Sequence, residues 1–311
     1  MKRILVTPRS LSAGTHSGLT RLEDLGFTLV RPTPGAMPSE ADLLAAIPDC
    51  CGWIAGVEPV SSHVISAATS LQVISRNGSG VDNLPMDALN ERGISVKRAL
   101  AANANGVAEL ALAMMLSGFR HIPLNSDGIL AGDWPRHMGR EISGSTIGVV
   151  GLGAIGRLVV EKFLALRANV IGFDPFATPK EFSGSTAFSQ SDTLDSLVAQ
   201  CDGITLHVPS ADAPLLDRKT FDLAKSGSVI VNTARAGLID PAAMLNALQT
   251  GKISTYCTDV FDTEPPELTP LLKHERCIRT SHIGGLTHDS VDRITRATVD
   301  NLLDGLQVSC A

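Results

Sequence analysis

Three short segments carry side chains that could move a proton and hold an acid. Arg235 closes Val229-Ile230-Val231-Asn232-Thr233-Ala234-Arg235, and Asp259 and Glu264 lie in Thr258-Asp259-Val260-Phe261-Asp262-Thr263-Glu264-Pro265. His282 lies in Thr280-Ser281-His282-Ile283-Gly284-Gly285. Each segment follows an apolar run with β-branched residues, so each polar side chain falls just past a strand, where open α/β sheets bind ligands. A guanidinium clamps a carboxylate with two parallel hydrogen bonds. An imidazole exchanges a proton with a hydroxyl or carbonyl oxygen, and a neighbouring carboxylate holds the ring and favours its charged form. Interconverting an alcohol and a ketone beside a carboxylate needs these groups. Spacing alone leaves surface and capping roles open for the same residues.

A second constellation names a cofactor. Gly151-Leu152-Gly153-Ala154-Ile155-Gly156 follows the apolar run 146–150 and opens a helical pattern over 155–166. Asp174 ends the next strand, 18 residues beyond Gly156. Gly151 permits the tight turn, Gly153 lets backbone approach a pyrophosphate, and Gly156 lets helix pack on strand. The helix start offers free N–H groups and a positive dipole end to phosphate. Asp174 accepts from the adenosine-ribose hydroxyls and repels a 2′-phosphate, which selects NAD over NADP.

The elements that must position these groups alternate strand and helix. Candidate strands at 3–7, 27–30, 52–55, 72–75 and 94–97 are separated by short amphipathic helices at 19–25, 41–46, 62–68 and 87–92. The rhythm restarts with strands at 146–150, 169–173, 203–207, 228–232, 254–259 and 277–280. This βαβα order predicts two mostly parallel sheets with helices on both faces. Between them runs a helix at 103–120 with Met114 and Met115 on its core face, then a loop over 121–144 containing Trp134; a last helix spans 288–306.

Composition narrows the class. The chain has 311 residues, 44% hydrophobic and 19% charged, enough for two domains with buried cores. A formal charge of −6 without a basic run argues against nucleic acid, and apolar stretches are too short for a membrane span. The apolar start Ile4-Leu5-Val6 stops at Thr7-Pro8, too early for a signal peptide, so a cytoplasmic protein is expected. Six cysteines, among them Cys50, Cys51 and Cys310, show no C-x-x-C and no clustering with histidine. Neither a disulfide framework nor a metal site is expected. Cys50-Cys51 reads as half-buried filler, and the Arg136, His137 and Arg140 group as a solvated loop.

The motifs together resemble the D-isomer-specific 2-hydroxyacid dehydrogenases, in their phosphoglycerate dehydrogenase-like branch. The carriers are Ser75-Arg76-Asn77-Gly78-Ser79-Gly80-Val81-Asp82-Asn83, Val107-Ala108-Glu109, the Gly151–Gly156 turn with Asp174, His207-Val208-Pro209 and the three segments above. The resemblance implies a Rossmann NAD-binding domain at 100–285, inserted in a flavodoxin-like substrate domain of 1–99 plus 286–311, with the reaction in the cleft between them. It implies that Arg235 holds the substrate, that His282 is the acid/base and that Glu264 is its partner. Asp259 would bond the nicotinamide carboxamide, the backbone N–H groups of Ser79 and Gly80 would bind the substrate carboxylate, and Asn77 and Gly78 would belong to the same substrate-binding turn. The cofactor would be lined by Gly151, Gly153, Ala154, Ile155, Gly156, Asp174, His207, Val208, Pro209, Thr233, Ala234, Arg235, Asp259, His282 and Gly284. Read from the sequence alone, His207 is a packing or backbone-bonding residue. A homodimer through about 100–145 is implied as well.

One departure bears on the substrate. Many relatives carry an Arg-Ser pair after the third strand, whereas this chain reads Ala55-Gly56-Val57-Glu58-Pro59-Val60, and Glu58 is expected to repel a phosphate. A short form without carboxy-terminal regulatory domains is expected, acting on a small 2-hydroxy acid that is either 3-phosphoglycerate-like or carries another polar tail. The other readings on this scaffold are a non-catalytic NAD-sensing regulator and oxidation of formate or phosphite.

Overall fold

The structure, a computed structural model, describes residues 2–308; Cys310 and the rest of the expected domain end at 309–311 lie outside the described residues. The chain divides into two compact units, one of residues up to Asn103 with the stretch from Thr287 onward, the other of Ala104–Leu286.

The first unit is built on β1 (Arg3–Val6), β2 (Thr28–Val30), β3 (Cys50–Ala55), β4 (Val73–Arg76) and β5 (Ser95–Arg98), all parallel, in the order β2-β1-β3-β4-β5. Alternate side chains leave opposite faces of a strand, so Leu5, Trp53 and Ile74 enter one core while Ile4, Ile54 and Val73 enter the other. Both faces are thus covered, as a parallel sheet requires. The second core is closed by the helix His288–Gly305, whose Val299, Leu302 and Leu303 recur on one stripe. Thr287 caps its start by accepting from the Ser290 N–H.

The second unit holds β6 (Thr146–Val150), β7 (Asn169–Phe173), β8 (Phe188–Gln190), β9 (Gly203–Leu206), β10 (Ser228–Asn232), β11 (Ile253–Thr258) and β12 (Cys277–Arg279). They lie parallel in the order β12-β11-β10-β9-β6-β7-β8. Strand order reverses between β6 and β9, the switch point at which such sheets bind dinucleotides. Ile147, Val149, Val229 and Val231 pack on one face, and Ile204, Leu206 and Ile230 on the other. The helix Ala104–Phe119 lies on the first of these faces, with Met114 and Met115 buried. A Cβ at Gly118 would come within 2.7 Å of Val229, so this close approach needs glycine.

The expected pair of doubly wound sheets is therefore present. The segment 121–144 is not all loop: Ile122–Leu130 is helical, with Pro123 in its first turn, where the missing N–H costs no helical bond. The three-residue β8 is too short to leave a period in the sequence. Among the described residues no single helix is long and apolar enough to cross a membrane. The described cysteines are free and buried, and burial lifts the Cys50 thiol to about 11, which fits a packing role.

Candidate active site

The glycine turn after β6 is tightly specified. Gly151 adopts φ +93°, and a Cβ there would lie 2.4 Å from the His207 carbonyl oxygen. A Cβ at Gly156 would lie 1.8 Å from the Gly151 carbonyl. Gly153 differs: nothing lies within 4 Å of its Cβ position, and it caps the helix Ala154–Ala165. The turn is closed underneath and open at the helix start, where the first amides lack intrahelical partners. Asp174 locks it from the end of β7, its carboxylate accepting from the Leu152 and Phe176 amides at 2.8 Å each.

Two polar groups beside this turn await a partner. His207 follows β9 and Thr233 follows the adjacent β10. His207 Nε2 pairs with Thr205 Oγ1 at 2.9 Å, while His207 Nδ1 and Thr233 Oγ1 are sealed from solvent with no partner among the described residues. Burial drives the His207 pKa to about 3, so its ring is neutral and unsuited to store a proton at physiological pH. Buried polar groups are ordinarily paired. Orphans beside an open glycine cradle fit a polar ligand such as a dinucleotide.

The acid/base group lies at the ends of β10, β11 and β12. His282 Nδ1 meets Glu264 Oε1 at 2.7 Å. The Glu264 hydrogen bond is the main influence raising the His282 pKa; burial opposes it, the charges of Glu264 and Asp259 add to it, and Arg235 works against it. His282 sits at φ +55°, a left-handed conformation that a non-glycine residue seldom adopts, and its loop is held by Asp259. Asp259 is buried and accepts from Thr280 Oγ1 at 2.5 Å, Ile283 N at 2.8 Å and Gly284 N at 2.8 Å. The residue expected to serve the cofactor thus also pins the loop that aims His282.

Arg235 is placed by a residue to which the sequence reading gave no role. Asn232, fully buried, donates to the Arg235 carbonyl at 2.8 Å and accepts from the Ala234 amide at 3.0 Å, clamping the turn between them. An Asn that bonds its own backbone two and three residues on is the only sequence signal for this. Also unforeseen is an apolar cavity of about 380 Å³ lined by Phe261, Pro266, Leu268, Leu272 and Ile283, flanking the Glu264 and His282 segments. A cavity of about 480 Å³ at the opposite edge, by Thr146, Asn169 and Lys225, lies at strand starts and away from this chemistry.

Asn77, Gly78, Ser79 and Gly80 belong to the first unit, in the turn after β4. Asn77 N–H donates to Ala55 O at 2.9 Å, its Oδ1 accepts from Thr298 Oγ1 at 3.2 Å, and Gly78 takes φ +147°. Arg76, buried below, donates from Nη1 to Asn77 O at 2.9 Å. The expectation for Glu58 is overturned. Its carboxyl is buried, hydrogen-bonded to Thr7 Oγ1 and accepting from Gly56 N at 2.9 Å, so it does not present charge at the surface. Burial is the main cause raising its pKa, which favours the uncharged acid.

With the geometry in view, the comparisons agree. Residues 112–284 match the model of the D-isomer specific 2-hydroxyacid dehydrogenase NAD binding domain. The D-3-phosphoglycerate dehydrogenase of Methanocaldococcus jannaschii is 41% identical over 235 residues, covering 74% of this chain and 45% of that protein. The Sus scrofa enzyme of the same name is 38% identical over 260 residues, covering 82% and 48%. The chain thus spans about half the length of these curated relatives. Among solved structures, the TT0316 protein of Thermus thermophilus superposes with a TM-score of 0.88 at 29% identity, covering 98% of this chain and 97% of that one. A glyoxylate reductase from Paecilomyes thermophila gives 0.86 at 26%, covering 99% and 96%. With its family model, relatives and fold in accord, the chain belongs to the D-isomer-specific 2-hydroxyacid dehydrogenases and carries their NAD-binding domain.

Proposed function

We propose that the protein is an NAD-dependent D-2-hydroxyacid dehydrogenase that interconverts a small 2-oxo acid and its 2-hydroxy acid. The observation that carries this reading is the 2.7 Å His282–Glu264 contact on the sheet edge that also bears Arg235 and the glycine cradle. NAD(H), when bound, supplies or accepts the hydride. Gly151, Gly153, Ala154, Ile155 and Gly156 would receive its pyrophosphate, Asp174 its ribose, and His207, Val208, Pro209, Thr233, Ala234, Asp259 and Gly284 the remainder. Arg235 orients the acid through its carboxylate and carbonyl oxygens. His282, charged and held by Glu264, donates the proton to the carbonyl oxygen during reduction and takes it back during oxidation. Residues 100–285 act as the NAD-binding domain, and 1–99 with 286–311 as the substrate domain, whose substrate-binding turn of Asn77, Gly78, Ser79 and Gly80 offers the Ser79 and Gly80 amides to a carboxylate.

A sensor without catalysis needs no paired acid/base, so the His282–Glu264 geometry favours the enzyme over that rival. We also propose a homodimer through about 100–145, where Leu130, Trp134 and Met138 are 84%, 80% and 93% exposed. Nicotinamide absorbance with purified protein, NADH and a panel of 2-oxo acids tests the activity. The expected result is turnover that falls about 10²–10⁴-fold in His282→Ala. Turnover unaffected by that change would sink the assignment of His282.

A further inference from the structure

Two turns leave the second sheet from the neighbouring strands β10 and β11, one carrying Arg235 and the other Asp259. The β10–β11 ladder pairs Asn232 with Thr258 and closes with Asp259 N–H donating to the Asn232 carbonyl at 3.0 Å. Beyond that point each turn is held by a side chain. Asn232 clamps the first through the Ala234 amide and the Arg235 carbonyl. Thr258 clamps the second, its Oγ1 donating to the Val260 carbonyl at 2.9 Å and accepting from Val260 N at 3.3 Å.

Tyr256 lies beneath both clamps. It pairs with Ile230, two residues before Asn232, and itself precedes Thr258 by two, so all three side chains leave the same face of the sheet. It is 4% exposed and packs in the core that holds Leu206 and Ile230. An aromatic side chain is long enough to reach its diagonal neighbour, and the Tyr256 hydroxyl is hydrogen-bonded to the Thr258 and Asn232 side chains. Burial pushes the phenol well above its ordinary range, so it keeps its proton. The donors available give this chain of bonds one direction. Asn232 uses one Nδ2 hydrogen on the Arg235 carbonyl and has the other for the phenol oxygen. The phenol O–H then goes to Thr258 Oγ1, whose own hydrogen goes to Val260.

We propose that Tyr256 is a positioning residue for Arg235: through Asn232 and Thr258 its hydroxyl couples the turn that holds the acid to the turn beside Asp259, so that guanidinium and proton donor keep one register. This role rests on the dehydrogenase reading and adds to it a residue buried beneath the strand ends.

Tyr256→Phe removes the hydroxyl and leaves the ring. KM for the 2-oxo acid should rise about tenfold, because a small misplacement of Arg235 is costly. A variant that melts earlier with KM unmoved would make Tyr256 merely structural and overturn the proposal. In an Arg235→Lys background the same change should raise KM by no more than about twofold, since the group it positions is gone; an undiminished rise would show Tyr256 acting elsewhere. Thr258→Val breaks the chain at its far link and should raise KM in the same direction, and an unmoved KM there counts against the coupling. Amide exchange reads the coupling without turnover. In Tyr256→Phe the Ala234 and Val260 amides should both exchange about tenfold faster, with the glycine turn at 151–156 unchanged. Faster exchange in neither turn, in one turn alone or in the glycine turn as well overturns the proposal. Should the parent turn over no acid, the dehydrogenase reading fails by itself, and amide exchange still decides whether Tyr256 couples the two turns.

Discussion

The loop-bearing edges of the two sheets are built from the same parallel-strand logic and end in opposite states. At the edge of the second sheet, polar groups are left over: His207 Nδ1 and Thr233 Oγ1 lack partners among the described residues, and the space over Gly153 is open. At the edge of the first, Thr7, Trp53, Gly56, Glu58 and Asn83 satisfy one another. Each edge holds a carboxyl, and the surroundings set its use. Glu264 is partly exposed and faces an imidazole, so it can stabilise a charge that appears and disappears. Glu58 is buried against a hydroxyl and an amide, so it serves as scaffold. The edge that fits the dinucleotide is recognised by what it leaves unpaired around the glycine cradle.

The sharpest way to break this contrast is to remove the charge of Glu264. Its hydrogen bond is the main influence raising the His282 pKa. In Glu264→Gln, burial and the charge of Arg235 oppose only the remaining pull of Asp259. Reduction needs the protonated ring, so its rate should fall off at lower pH than in the parent. The loss should reach about 10²-fold on the alkaline side. Oxidation needs the neutral ring, so its rise with pH should begin earlier. A pH–rate profile of kcat in both directions checks this, and profiles that superpose would show that Glu264 does not tune His282.

A smaller effect is expected where the edge is open. Gly153→Val puts a side chain into space with nothing within 4 Å, so folding should be unaffected apart from a modest loss in helix capping. NADH affinity should nevertheless drop by about tenfold or more, because the added atoms occupy the approach to the helix amides. Fluorescence titration with NADH measures the drop, and thermal unfolding verifies the fold. Unchanged affinity would place the dinucleotide elsewhere.

Much of this was legible in the sequence, for a physical reason. Parallel strands buried on both faces read as continuous apolar runs, so β6, β7 and β10 fall at the residues expected from the pattern. The glycine turn was legible because backbone crowding at Gly151 and Gly156 admits no other residue type. What stayed hidden depends on side-chain direction. The inward turn of Glu58 is set by Thr7 and Trp53, 51 and 5 positions upstream, and no local pattern encodes it. The clamp of Asn232 on Arg235 was hidden likewise, since Asn at a strand end has several equally ordinary uses. The helix Ile122–Leu130 was missed because it buries none of its residues within the chain, so no apolar period marks an inner face.

The smallest expected effect probes the closed edge. Burial raises the Glu58 pKa, so the folded chain holds this proton more firmly than the unfolded chain does. Stability is therefore fully present below the ordinary glutamate value of about 4.3 and declines as pH rises from there through the raised folded value. Glu58→Gln keeps the oxygen that accepts from both the Gly56 amide and Thr7 Oγ1, but it has no proton to lose. Its melting temperature should match the parent under mildly acidic conditions and exceed it by a few degrees at neutral pH. Thermal unfolding at several pH values measures the difference. A parent that gains on the variant as pH rises would mean that Glu58 is stabilised as an anion, with Arg76 as its counter-charge, and the two edges would then share the same use of a carboxylate.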